Sequence, residues 1–190
     1  MRLDIATIQR LYGIVSVLLQ YPDEEWRRRL SDLREEAEEL ADAEDRETIT
    51  DFLDLAERTE EREWQDRYVR TFDFGKKSNL YATYSEHGED RERGTALLSL
   101  KRLYQEAGFE LETTELPDYL PLMLEFASAA PWGAAVGALS GVKPAIGSIH
   151  NELAGTNSPY APPVGLLLRL VPDRPAEPEP AEASMGGGQR

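Results

Sequence analysis

Along most of this chain apolar side chains recur every three or four residues, a period that admits helices and little else. Ile8, Leu11, Tyr12, Val15, Leu18 and Leu19 mark a first apolar face, which Pro22 ends. Trp26, Leu30, Leu33, Ala37 and Leu40 mark a second helix, with arginine and glutamate on its other positions. Ile49, Phe52, Leu53 and Ala56 continue the pattern, as do Trp64, Tyr68, Val69 and Phe72. Strands have no comparable support, because no Asn-Gly or Asp-Gly hairpin turn separates alternating runs. The expectation is an all-α, single-domain helical bundle over residues 1–171.

Phe74 to Gly94 lacks a clean period and reads as a long loop with a short helix, and so as a candidate functional element. Ala96, Leu97, Leu100, Leu103, Tyr104 and Ala107 then predict a strong helix with Gly108 as its C′ residue. Another helix is expected to begin near Pro117, with Asp118 at its dipole-favoured end. Gly133, Gly137 and Gly141 recur at fourfold spacing, which predicts close packing of two helices along that stripe. Pro144 divides the region, and Ile146–Leu153 and Val164–Leu170 supply the last apolar stretches. From Pro172 to Arg190 the chain is largely proline, alanine, glutamate and glycine, so 172–190 is expected to be a disordered tail.

Composition removes several function classes. With 36 acidic and 21 basic residues in 190, the formal charge is −15, unsuited to gripping nucleic-acid phosphates. Between Pro22 and Asp66 there are 19 acids against 7 arginines, so this segment holds most of the imbalance. Such a surface keeps a protein solvated, and it also steers basic peptides. Zero cysteines exclude disulfides, zinc–thiolate sites and iron–sulfur ligation, and two histidines make a multi-histidine metal centre hard to assemble. The N-terminus shows no secretory pattern, and Phe126–Val142 is too short and too rich in alanine and glycine to span a bilayer. A cytoplasmic protein is expected.

Catalytic constellations fare no better. No serine sits in a G-x-S-x-G elbow beside His87 or His150. Gly75-Lys76-Lys77-Ser78 lacks the first glycine of a phosphate loop, since position 70 is Arg70. Paired acids such as Glu35-Glu36 lie on a polar helix face, and His150 lacks the second histidine of a helical metal site. We expect no enzyme, no bound cofactor and no metal. A nucleotide-handling enzyme would instead show turnover dependent on Lys76 or Lys77. A structural subunit would copurify with a mature membrane complex.

Three segments carry an unusual mixture of residues. Trp64, Tyr68 and Phe72 share a face, which reads first as core and second as the wall of a groove. Glu86-His87-Gly88-Glu89-Asp90-Arg91-Glu92-Arg93-Gly94 is densely charged and suits a salt-bridged helix start. In Glu115–Phe126, Leu122, Glu125 and Phe126 share one face, setting a carboxylate beside an apolar stripe.

In this order, these segments resemble the NarJ-type delta chains of respiratory nitrate reductase, molybdenum-cofactor assembly chaperones within the wider TorD-like redox-enzyme maturation family. The resemblance runs from about Leu11 to Val171. It includes Leu18-Leu19-Gln20-Tyr21-Pro22, Tyr68-Val69-x-Thr71-Phe72-Asp73, His87-Gly88, Arg91-x-Arg93-Gly94, Glu115–Pro121, Ser158-Pro159-Tyr160-Ala161 and Leu166-Leu167-Leu168. One departure is Tyr119, where the family often has histidine after Pro-Asp. A role for that histidine does not transfer.

The resemblance implies a chaperone without turnover that binds the N-terminal segment of the nitrate reductase catalytic (alpha) subunit, docked as a short helix. It implies that the apo subunit is held open for insertion of the molybdenum cofactor and an iron–sulfur cluster, and that the chaperone is no stable part of the mature membrane complex. Another molybdoenzyme, such as a sulfoxide, N-oxide or selenate reductase, is the alternative client. On this basis Tyr68, Phe72, Tyr119, Leu122 and Phe126 are expected to form or support an apolar groove. Asp118 and Glu125 are expected to orient a basic or amide group of the peptide, with His87 and Arg91 shaping the neighbouring loop. Monomer and helix-exchanged dimer both remain open.

Overall fold

The structure, a computed structural model, describes residues 3–75, 77–84 and 91–173. The 174–190 stretch of the tail, Lys76 and His87 lie outside the described residues, and so does the side chain of Arg91. The fold is the all-α bundle expected, and among the described residues the only β-type pairing is an isolated bridge between Tyr81 and Tyr119. No helix among these residues is long and apolar enough to cross a membrane.

Helix α1 (Ile5–Leu18) starts where Asp4 accepts a hydrogen bond from the Thr7 amide at 2.8 Å. From Leu11 onward it is buried almost all round, which makes it the central helix of the bundle. Its one buried polar side chain there, Ser16, donates to the Pro121 carbonyl at 2.7 Å. The stretch read from sequence as one second helix is two, α2 (Glu24–Arg28) and α3 (Leu30–Glu38). The break falls at Arg29, whose amide is shared between the carbonyls of Glu25 (3.3 Å) and Trp26 (3.1 Å), tightening the turn. Trp26 meanwhile anchors α2 to α1 by donating its indole N–H to the Val17 carbonyl at 2.7 Å.

Helix α4 (Ala43–Arg58) is capped by Asp42, and α5 (Glu61–Tyr68) by Glu60. Helix α5 runs on into a single π-turn, Val69–Asp73, closed by the Phe74 amide on the Val69 carbonyl at 3.2 Å. The remaining helices are α6 (Arg91–Glu106), α7 (Leu120–Ala129), α8 (Trp132–Leu139), α9 (Lys143–Gly155) and α10 (Ala161–Leu170). Helix α7 lies along α1, and α9 packs on α10 as a helical hairpin. Asp45, buried in the first turn of α4, pairs with Arg169 of α10. Pro144 falls in the first turn of α9 after a 3₁₀ turn at Ser140–Val142, so it divides the two helices as the sequence indicates.

Two expectations are corrected. Helix α7 begins at Leu120 rather than near Pro117, because residues 117–119 are committed to contacts with residues 80–84 instead of to a helical turn. The glycine stripe does not form a helix–helix seam. Gly133, Gly137 and Gly141 are all exposed, and of the three only Gly137 has a neighbour, Leu103, at van der Waals distance.

The aromatic core is continuous. Phe52, Trp64, Tyr68, Phe72 and Tyr160 meet with ring centroids 4.8–6.2 Å apart. Tyr12, also buried, donates to the Leu170 carbonyl at 3.1 Å, and burial pushes its phenol up to about 12. The unfolded chain releases this proton near pH 10 while the folded one keeps it, so the stability is complete below pH 10 and lost above it. Urea denaturation should show stability flat on account of this group up to about pH 10 and falling by about 1.4 kcal/mol per pH unit from there to about pH 12. The Tyr12→Phe variant should show a shallower fall by that amount.

Candidate functional site

The segment from Thr113 to Leu120 is irregular yet fixed on every side. Asp118 offers its carbonyl to the Ala82 amide at 2.9 Å, and the Leu120 amide donates to the Leu80 carbonyl at 2.8 Å. Tyr104 of α6 donates its hydroxyl to the Pro117 carbonyl at 2.7 Å. The Asp118 side chain is fully buried, and its Oδ2 accepts from the Thr83 hydroxyl at 2.6 Å and the Thr83 amide at 3.2 Å. Arg93, at the start of α6, lies 3.4 Å from the same oxygen and stacks over the Tyr84 ring at 5.3 Å. Asp118 therefore ties the loop at 80–84 and α6 to the entry of α7. In this structure its carboxylate reaches no solvent.

One cavity lies on the Tyr119 side of this segment and encloses about 340 Å³. Its walls are Tyr21, Tyr68, Phe72, Tyr81 and Tyr119, with Asp73 and Glu115 among the other lining residues. Tyr68 at the end of α5 and Phe72 and Asp73 in the π-turn all reach the cavity, and the rings of Tyr68 and Phe72 also pack in the core. Tyr68 donates its one proton to the Leu19 carbonyl at 3.1 Å, so the 3.1 Å contact between its Oη and that of Tyr119 is donated by Tyr119. Tyr81 donates to Glu115 at 2.8 Å. Burial holds the phenols of Tyr68, Tyr81 and Tyr119 above the ordinary tyrosine range, so they stay neutral hydrogen-bonding groups. Ring faces beside carboxylates suit a cation on an apolar stem.

Gly75 closes the π-turn where nothing larger fits. A Cβ there would lie 2.2 Å from the Thr71 carbonyl oxygen and 1.9 Å from the Ser78 hydroxyl, the two groups that hydrogen-bond to each other across it.

A larger trough of about 530 Å³ opens between the end of α6 and α7. Gly108, at φ 86°, ends α6 in a Schellman motif: its amide bonds Gln105 at 3.0 Å, and the Phe109 amide bonds Tyr104 at 2.9 Å. That turn brings Phe109 to the ring of Phe126, 5.1 Å away, with Tyr104 on another side at 4.3 Å. Leu111 and Leu122 complete the apolar lining, and Glu110, Glu112 and Glu125 line the trough with them. These three acids form no ion pair among the described residues.

The residues selected from sequence thus divide. Tyr68, Phe72 and Tyr119 line the tyrosine cavity; Leu122, Glu125 and Phe126 line the trough; Asp118 is buried between the elements that frame them. His87 lies outside the described residues, and Arg91 is the first residue of α6. Sequence reasoning passed over Tyr21, Tyr81, Glu115, Phe109 and Leu111 as lining residues. For Phe109 a signal existed, since a large apolar residue after a C′ glycine folds back on its own helix. For Tyr81 and Glu115 none did, because their partnership spans a loop without period. Among the described residues no group of His, Asp or Glu side chains is arranged to hold a metal ion.

A family model described as the nitrate reductase delta subunit matches residues 31–163. The chain is 41% identical over 163 residues to a Bacillus subtilis protein named as a probable nitrate reductase molybdenum cofactor assembly chaperone, NarJ, covering 86% of this chain and 89% of that one. It is 33% identical over 160 residues to the nitrate reductase molybdenum cofactor assembly chaperone NarJ of Escherichia coli K12, covering 83% of this chain and 68% of that one. The crystal structure of an Archaeoglobus fulgidus protein assigned as a redox enzyme maturation protein superposes with a TM-score of 0.62 at 20% identity. That match covers 89% of this chain and 94% of the other, and shows that the two share one all-α fold. With the family model spanning α4, the whole trough, every residue of the tyrosine cavity except Tyr21, and the start of α10, the chain belongs to the nitrate reductase delta subunit family.

Proposed function

We propose that this chain is a dedicated assembly chaperone for the catalytic subunit of respiratory nitrate reductase. It binds the N-terminal segment of that subunit as a short helix and performs no chemistry of its own. While it is bound, the apo subunit stays open for insertion of the molybdenum cofactor and an iron–sulfur cluster, both cargo of the client. The chaperone acts in the cytoplasm and departs before the mature complex works at the membrane.

The observation that carries this reading is the trough between α6 and α7. An amphipathic helix needs an apolar floor wide enough for its anchors, which Phe109, Leu111, Leu122 and Phe126 provide. It needs polar groups at the rim to set its direction, and Glu110, Glu112 and Glu125 favour a segment carrying positive charge. The tyrosine cavity, reached from the other end of the 113–119 segment, takes a basic side chain of the same client between its rings and Glu115. The relatives named as molybdenum cofactor assembly chaperones support the choice of client.

Calorimetric titration with a synthetic peptide of the client's N-terminal segment tests the proposal. Leu122 is half-buried at the trough, so Leu122→Glu should leave the helical fold intact while weakening binding by about tenfold or more. Unchanged affinity in a variant of native circular dichroism would remove the trough from the proposal.

A further inference from the structure

A third groove, sharing no lining residue with the two cavities above, runs between α4 and the turn before α10 and encloses about 330 Å³. Its floor is apolar: Phe52 and Leu55 from α4, Pro159 and Pro162 from the other side. Asn157, at φ 52°, reverses the chain after α9 and brings both prolines against α4.

The edge of the groove is a single acidic stripe. Glu44, Glu47 and Asp51 follow one another by three and four residues and therefore share a face of α4 with Thr48 and Leu55. The other acids of this helix near basic groups are matched: Asp54 and Glu57 pair with Arg34, and Asp45 pairs with Arg169. Glu44, Glu47 and Asp51 form no ion pair among the described residues. The helix dipole accounts for Glu44 in the first turn, but not for Glu47 and Asp51 beyond it. Like charges at this spacing destabilise a free helix, and a basic partner along the same face would relieve that.

We propose that this groove is a second docking surface, which receives a basic helical segment of a partner protein. Its cations lie along Glu44, Glu47 and Asp51, and an apolar side chain enters between Phe52, Leu55 and the two prolines. A second copy of this chain is a poor occupant, because each carries a net charge of −15 and this face is among its acidic ones. The inference goes beyond the trough and does not depend on it.

The probe is an alanine-based helical peptide with lysines at i, i+4 and i+7 and one phenylalanine on the same face, titrated calorimetrically at low ionic strength into the full chain carrying Leu122→Glu, which removes competing binding at the trough. Glu44→Gln/Glu47→Gln/Asp51→Asn should weaken its binding by about tenfold, and Leu55→Ser by about fivefold. Glu35→Gln/Glu36→Gln/Glu38→Gln removes the same charge from exposed positions of α3 and should leave affinity within about twofold. An equal loss in this control triple would reduce the effect to net charge and overturn the proposal. So would undiminished affinity in the groove triple or in Leu55→Ser. Chemical-shift changes in the amides of Thr48, Asp51 and Leu55 on adding the probe support it, and shifts confined to other helices oppose it.

Discussion

Replacing Tyr160 with alanine lowers the unfolding free energy by about 4 kcal/mol, while replacing it with phenylalanine costs nothing or stabilises by up to about 1 kcal/mol. The asymmetry follows from what the side chain touches. Its ring is fully buried and lies 4.8 Å from Phe72, 5.3 Å from Phe52 and 5.7 Å from Trp64, so truncation opens a cavity where several rings converge. Among the described residues its hydroxyl makes no well-formed hydrogen bond; the polar group beside it is the indole N–H of Trp64, which has no well-formed partner either. Deleting that oxygen removes an unsatisfied buried group and little else. Urea denaturation of both variants is the measurement. A loss above about 1 kcal/mol in Tyr160→Phe would show that the hydroxyl is satisfied in solution, for instance by a water shared with Trp64.

Asp118→Ala should cost about 3 kcal/mol and should weaken binding of the client peptide as well, although the side chain touches neither cavity's solvent. Truncation leaves Arg93 and the Thr83 amide without their shared acceptor and loosens the 80–84 loop from the entry of α7. A double-mutant cycle separates this from direct contact. If Asp118 acts through Arg93, Arg93→Met in the Asp118→Ala background costs less than in the native chain, by about 1 kcal/mol or more. If the two losses simply add, Asp118 does not work through that pair. Tyr119 behaves differently: Tyr119→Phe removes one part-buried hydrogen bond to Tyr68 and leaves stability within about 1 kcal/mol.

These two residues also mark how far the sequence could be read. The fold was legible because helical period is a local property: the faces of α1 and α4 and the Gly108 terminus follow from spacing and from the conformations glycine allows. The displaced start of α7 was not, since it depends on hydrogen bonds to residues 80–83; nor were the π-turn and the Arg29 break, whose hydrogen bonds are local but leave no mark in the apolar spacing. Asp118 illustrates the difference for the site. Next to Pro117 it has the sequence features of a helix start, and only the Thr83 and Arg93 contacts, 35 and 25 residues away, turn it into a buried tie. Leu122, Glu125 and Phe126 could be grouped correctly because one helix carries them. That Tyr68, Phe72 and Tyr119 belong to a different cavity could not be read from spacing, because a loop and a π-turn intervene.

The wide turn at Val69–Asp73 has a consequence for how members of such a lineage can diverge. Swapping one ring for another along Trp64, Tyr68 and Phe72 alters a wall but preserves where it stands. Losing a single residue between Tyr68 and Phe72 would restore ordinary helical winding, with one residue fewer in that turn, and change where the last ring points relative to Tyr68. Counted length, rather than chemical character, is what keeps that end of the helix aimed at its cavity.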